Sequence, residues 1–312
     1  MSVKRPWEKE RGMSKSGLAI NCEYWALRLV CALVNAIPYA LAIMAARGLG
    51  WACVHVLRFK RRRTEERIRA VFPQMSARDV RRVATRSLQN IFQTGVEMMR
   101  APRLDRAWMD RRIVDGLLYK DKLKAYVDEG KGVVIMVPHS GNWYMAAWSM
   151  AKYGLPLVAI AARQRNPKLD AWMNRQYGDI EVLDRDRRDT LARIREKLES
   201  GRAFAILSDL RVRKKDVEAD FFGGKANVSR SAAAFAVKCG CPIVVAAMSR
   251  KDGRHVFNHL ATLRPDQAAA DKKEEARRLT REALKILSDE IMKNPGDWFW
   301  YNKRWILEPP TE

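Results

Sequence analysis

From residue 132 onward, short apolar runs alternate with stretches of helical spacing. GVVIMVP (132–138), PLVAIAA (156–162), AFAILS (203–208) and PIVVAAM (242–248) are continuous apolar runs of strand length. That is the pattern of strands buried on both faces. Residues 142–153, 167–177, 188–200, 229–238 and 272–292 read as helices. Strands separated by helices of this length pair in parallel and carry helices on both faces. The pattern predicts an α/β fold with a mostly parallel central sheet, whose chemistry gathers at the carboxyl ends of the strands.

The first part of the chain reads differently. Residues 26–46 are almost uninterrupted apolar, with Arg28, Asn35 and Pro38 as exceptions. A spanning helix needs about 20 mostly apolar residues, and Pro38 predicts a kink in this one. A second apolar piece, 48–57, is too short to span, and the cationic block RFKRRR follows at 58–63. An apolar run closed by a dense basic cluster predicts membrane contact, entering one leaflet or crossing the bilayer with the cations on anionic headgroups. The competing expectation is a buried helical hairpin with a solvated basic end. The chain therefore divides into a membrane-associating helical region, 1–63, and an α/β domain, 64–312. At the start of the latter, 64–100 reads as helix broken at Phe72-Pro73, with Ser76 as N-cap. Val80, Val83, Leu88, Ile91 and Phe92 fall near one face, and Arg78, Arg81, Arg82 and Arg86 lie on another. That cationic face is either solvated or continues an anionic contact surface.

Charge sharpens the picture. The 312 residues carry 59 Lys and Arg against 36 Asp and Glu, a formal net charge of +23. Such a charge implies a polyanionic partner: nucleic acid, anionic lipid or an acidic carrier protein. No recognisable nucleic-acid module accompanies it. Five cysteines (Cys22, Cys31, Cys53, Cys239, Cys241) are an odd count, and none forms a zinc-like constellation. This argues against a disulfide scaffold and a structural metal, and for a reducing compartment. There is no G-x-G-x-x-G after a strand and no P-loop, so no nucleotide cofactor is expected.

The predicted strand ends hold the candidate chemistry. After the first come His139, Ser140, Gly141, Asn142, Trp143 and Tyr144. An imidazole there is suited to proton transfer near neutral pH, and Asn142 to capping the following helix. A hydrogen-bonded structural role for His139 is the alternative. The second strand end brings Arg163, Arg165 and Asn166. The third brings Asp209, then Arg211, Arg213, Lys214 and Lys215, with Phe222 further on. Arg163 and Asp209 fall at the same sheet edge as His139, either as site residues or as an ion pair with each other. Trp298, Trp300, Tyr301 and Trp305 stand beside Lys303 and Arg304 near the end. They suit either the headgroup level of a bilayer or a closing segment packed on the core.

Several blocks together resemble the late acyltransferases of bacterial lipid A biosynthesis. They are HSGNW (139–143), RRR…RIRAVFP after the apolar start, ARQRNPKLD (162–170), LSDLR (207–211), DFFGGKANVSRSAAAFAVKCGCPIVV (220–245) and NPGDWFWYNKRWILEPP (294–310). The resemblance runs through nearly the whole chain in order. It implies transfer of a fatty acyl group from a thioester, acyl carrier protein or coenzyme A, to a hydroxyl of an anionic glycolipid such as a lipid A precursor. The basic cluster after Leu57 and the scarcity of paired cysteines predict a place on the cytoplasmic face of an inner membrane, and the absence of a cofactor motif or a nucleic-acid module predicts no cofactor and no nucleic-acid partner. His139 would be the general base. Arg163 would position the donor or steady the oxyanion, and Asp209 would orient His139 or the acceptor. Asn142, Trp143, Arg165, Asn166, Phe222 and the Arg211–Lys215 cations would contact substrate. The family normally places Glu or Asp five residues after the His, where this chain has Tyr144. Three explanations stay open. Asp209 or Glu181 takes over the orienting role; the enzyme is slow or divergent; or the protein is a lipid-binding relative without catalysis.

Overall fold

The computed structural model describes residues 16–308. Helices α1 (Gly17–Ala36) and α2 (Tyr39–His55) come first. The single kinked segment expected over 26–46 is therefore two helices, and the short piece expected over 48–57 is largely the second half of α2. Proline forces the preceding residue out of helical geometry, and Ile37 is extended (φ −101°, ψ 156°). Nothing comparable interrupts α2 at Gly48 or Gly50. There the glycine is needed for packing, since a Cβ on Gly50 would sit 2.8 Å from the Cα of Gln89.

Ala42, Ala46, Gly50 and Val54 recur every fourth residue and form the buried stripe of α2. The stripe docks on α4 (Ala77–Arg100), which follows α3 (Arg61–Val71) after the expected break at Phe72-Pro73. Ser76 caps α4, accepting from the Asp79 amide at 3.1 Å. Val80, Val83 and Leu88 are buried as expected, whereas Ile91 and Phe92 are half-buried. No residue of α1 is buried, and Leu41, Met44 and Leu49 of α2 are exposed. Among the described residues, α1 is the one helix long and apolar enough to cross a membrane. α2 is held by the core on one side and bare on another, so this region is not the wholly buried hairpin of the competing expectation.

The central sheet has seven strands in the order β1-β9-β8-β2-β5-β3-β4. The four predicted strands are β2 (Val133–Val137), β3 (Leu157–Ala161), β5 (Ala203–Leu207) and β8 (Ile243–Lys251), paired in parallel in the order β8-β2-β5-β3. Alternate residues of β2 enter two separate cores: Val134 and Met136 one, Val133 and Ile135 the other. This is why the run reads as continuously apolar. Sequence pattern missed β1 (Ile113–Val114), β4 (Glu181–Asp184) and β9 (Arg254–Leu263), along with the hairpin β6 (Val217–Phe221) and β7 (Gly224–Val228). These strands are short or polar. β9 runs antiparallel to β8, so the sheet is mostly rather than wholly parallel.

The remaining helices are α5 (Arg106–Arg112), α6 (Gly116–Asp128), α7 (Trp143–Lys152), α8 (Pro167–Gln176), α9 (Thr190–Glu199), α10 (Ser231–Cys239) and α11 (Lys272–Lys293). α6 and α7 share a core with one face of the sheet, while α9, α10 and α11 pack on the other. Trp298, Trp300 and Tyr301 are buried. The C-terminal aromatic block is a closing segment, so core packing prevails over headgroup contact there.

Candidate active site

Register alone brings two candidate residues together. In the parallel pair β2–β5, Val137 lies opposite Leu207. Two residues further along each strand stand His139 and Asp209. The ladder continues into this exit through the Ser208 amide, which donates to the Val137 carbonyl at 3.2 Å.

The Asp209 carboxylate is fully buried and receives three donors. Oδ1 lies 2.7 Å from His139 Nδ1, and Oδ2 accepts the His139 amide at 2.7 Å and Trp298 Nε1–H at 2.6 Å. Burial alone would push Asp209 up; the His139 ring and these donors outweigh it and hold the group below its ordinary value. An ionised Asp209 only accepts, so the hydrogen-bond pattern assigns the ring proton to Nδ1 and leaves Nε2 as an acceptor. The side chain of His139 is 14% exposed, in contrast to its sealed partner. The Trp143 ring stands edge-on to the imidazole, with centroids 5.3 Å apart.

The loop is locked from two sides. The closing segment pairs with it: Phe299 N–H donates to the His139 carbonyl, and Gly141 N–H to the Asp297 carbonyl, both at 3.0 Å. Gly141 has φ +59°, and a Cβ there would fall 1.5 Å from the Met248 carbonyl oxygen, so only glycine fits. From α4, Asn90 donates to the Gly141 carbonyl at 2.7 Å. Asn142 caps α7, accepting from the Met145 amide at 2.9 Å, and its amide donates to Glu97. Glu97 is fully buried between Arg250 (2.6 Å), His255 (3.0 Å) and the Tyr39 hydroxyl (2.6 Å). Its burial penalty is overcome by Arg250 and His255, which hold its pKa far below the ordinary value.

Other candidates lie elsewhere. Tyr144 is buried, and its hydroxyl donates to the Gln176 carbonyl rather than to His139. Desolvation, seconded by Tyr177, raises its pKa, so it is a neutral phenol. Arg163 pairs with Asp184 at 2.9 Å and is 66% exposed, which excludes the expected alternative of an Arg163–Asp209 pair. Glu181 opens β4 opposite Val158, at the far edge of the sheet, and is held by Lys197 and Arg202. It cannot orient His139. Asn166 caps α8, while its amide fastens α1 through the Ile20 carbonyl at 2.9 Å and Glu23 at 3.1 Å. Arg165, Arg213, Lys214 and Lys215 are exposed, and Arg211 pairs with Glu308. Phe222 is buried against Trp298 and Trp300.

Trp298, Asn90, Glu97 and Arg250 were not singled out as site residues. Glu97 left a trace: positions 83, 87, 90, 94 and 97 form the buried stripe of α4, and a carboxylate in such a stripe needs buried partners. Trp298 was visible only as one aromatic among several. Beside Trp143 an apolar cavity of about 40 Å³ opens between β2 and α7, lined by Ile135, Val137, Ala146, Ala147 and Ala205.

A fixed Nδ1 and a free Nε2 give His139 the arrangement of a general base. The family model of the bacterial lipid A biosynthesis acyltransferases matches residues 13–306. The chain is also similar to a phosphatidylinositol mannoside acyltransferase of Mycolicibacterium smegmatis, 26% identical over 227 residues, 69% of this chain and 70% of the relative. A protein of the same description from Mycobacterium tuberculosis is 25% identical over 233 residues, 71% of this chain and 70% of its own.

Proposed function

The chain belongs to the bacterial lipid A biosynthesis acyltransferase family, and we propose from that premise that it transfers a fatty acyl group from a thioester to a hydroxyl of an anionic, sugar-bearing lipid. His139 Nε2 takes the proton of the acceptor hydroxyl. The oxygen attacks the thioester carbonyl, a C–O bond forms, the C–S bond breaks, and the thiolate leaves with the proton returned by the imidazolium. Asp209, kept ionised, holds the ring in the required tautomer and stabilises the imidazolium. The observation that carries this reading is the three-donor clamp on Asp209, which supplies the acid that position 144 lacks. That acid supports a catalytic reading over a non-catalytic lipid-binding relative.

The family description suggests a lipid A precursor as acceptor, and the mycobacterial relatives suggest a phosphatidylinositol mannoside. An acidic acyl carrier protein as donor fits the charge of +23. The acyl chain enters beside Trp143. The cavity there has room for only about three water-sized groups, so the indole swings aside when the donor binds. The bare faces of α1 and α2 rest on the cytoplasmic side of an inner membrane. Purified protein in detergent, given acyl carrier thioester with each acceptor in turn, adds one acyl mass to one of them. His139→Ala abolishes that product while its circular dichroism stays that of the parent. Undiminished turnover in this variant refutes the mechanism.

A further inference from the structure

A second concave region, which His139 itself does not line, lies behind the scaffold of the His139 loop and shares Asn90, Arg250 and Asp297 with it. It is a groove of about 1160 Å³ between α2, α4 and the tip of the β8–β9 hairpin. Eight arginines line it, against Asp252 and Asp297 as its only acids among the described residues. Five of the arginines are engaged. Arg81 meets Glu65, Arg82 meets Asp79, Arg86 meets Asp297 and Arg250 meets Glu97, while Arg112 donates to the Gly253 carbonyl. The other three are exposed, come from three different elements, and have no acid partner among the described residues: Arg47 of α2, Arg78 of α4 and Arg254 of β9.

Position along α2 says what such a groove meets. The helix has three faces. Ala42, Ala46, Gly50 and Val54 are buried in the protein. Leu41 and Met44 are bare apolar surface. Between those faces run Ala40, Ile43, Arg47 and Trp51, which line the groove. The cationic groove thus borders directly on the apolar surface. An anion with an attached hydrocarbon tail satisfies both at once: its charge among the arginines, its tail along Leu41 and Met44. An acidic protein or nucleic acid would leave that apolar face uncovered.

We propose that this groove binds the phosphate headgroup of an anionic phospholipid of the bilayer, at a site that His139 itself does not line. Arg47, Arg78 and Arg254 supply the contacts, and Trp51 (half exposed, stacked on His55) sits at headgroup depth. The proposal rests on the membrane contact proposed above but not on the chemistry of His139.

The test is vesicle co-sedimentation of the full chain at fixed salt, because headgroup attraction is screened by ions. Phosphatidylcholine vesicles doped with phosphatidylglycerol are compared with pure phosphatidylcholine. Each arginine near such a surface is worth about fivefold in binding. The triple variant Arg47→Gln, Arg78→Gln, Arg254→Gln is therefore expected to lose about 10²-fold affinity for doped vesicles. A control removes the same charge from exposed sites outside the groove: Lys122→Gln, Lys131→Gln and Arg175→Gln. It is expected to bind like the parent. Equal losses in the two variants overturn the site in favour of net charge. A triple variant that keeps vesicle binding overturns it as well, and a loss of acyl carrier binding alone would make the groove a protein dock. Phosphate binding by the parent with no preference for doped over pure phosphatidylcholine vesicles would assign the groove to free phosphate instead. If the parent binds neither vesicle, the membrane reading itself fails, whatever the outcome of the acyl-transfer assay.

Discussion

The replacement Asp209→Asn keeps the shape of the side chain and removes only its charge and one acceptor. Three donors now converge on Asp209: the His139 amide, His139 Nδ1–H and Trp298 Nε1–H. An asparagine offers one oxygen and one NH₂. The amide and the indole share Oδ2 and cannot reverse their roles, so the asparagine oxygen stays with them. Its NH₂ then faces Nδ1, which must become an acceptor. The ring proton moves to Nε2, the atom that has to receive the acceptor's proton. In a catalytic triad the corresponding change costs about 10⁴ in kcat, or roughly 5.4 kcal/mol of transition-state stabilisation, and a similar loss is expected here. Stability changes far less, because every donor can still find an acceptor once the tautomer flips. A penalty of about 1–2 kcal/mol corresponds to a Tm drop of about 2–3 °C for a chain of this length. That penalty depends on pH. Asp209 titrates below its ordinary value, so its contribution is complete above the unfolded value of about 3.9 and fades as pH falls through the lower folded value. The Tm gap between parent and variant therefore narrows below about pH 4. The assay is single-turnover acyl transfer followed by mass spectrometry, with Tm measured alongside from pH 3 to pH 8 (roughly the span over which a carboxylate contribution appears). Turnover in the variant within about threefold of the parent, against the ~10⁴ expected, would show that Asp209 does not hold the working tautomer.

Other perturbations follow from the same geometry. Tyr144→Phe should leave kcat within about threefold, because the lost bond goes to the Gln176 carbonyl and costs about 1 kcal/mol of stability only. Steady-state kinetics and thermal melting separate the two effects. Trp298→Phe removes one of two donors to Oδ2 and leaves a smaller aromatic ring in its place. Kinetics should show about a tenfold loss in kcat, smaller than for Asp209→Asn because the His139 amide remains. Glu97→Gln leaves Arg250 without a charge partner in a buried site, which costs about 3–5 kcal/mol. Denaturant melts should show it as a lowered midpoint with unchanged slope. Gly141→Ala drives a methyl into the Met248 carbonyl and should prevent the 139–142 loop from forming, read as poor recovery of folded protein by gel filtration.

The amino-acid sequence by itself determined the α/β class and the four core strands. Strands buried on both faces must be apolar at every position, and the stretches between them had the length and spacing of helices. It also placed His139 and Asp209 at one sheet edge, because each stands immediately after an apolar run. What it left undetermined is register. Only when β2 and β5 are aligned does it follow that Asp209, and neither Tyr144 nor Glu181, meets the imidazole. The departure at position 144 looks serious along the chain and is minor in space, since a hydroxyl on the next helix turn points to Gln176. Trp298, Asn90 and Arg250 reach the site from residues far along the chain, so no local pattern could announce them. α2 carries the same lesson. Its composition fits both a core helix and a membrane helix, and only docking on α4 decides which stripe is buried, which is bare, and which faces the arginine groove.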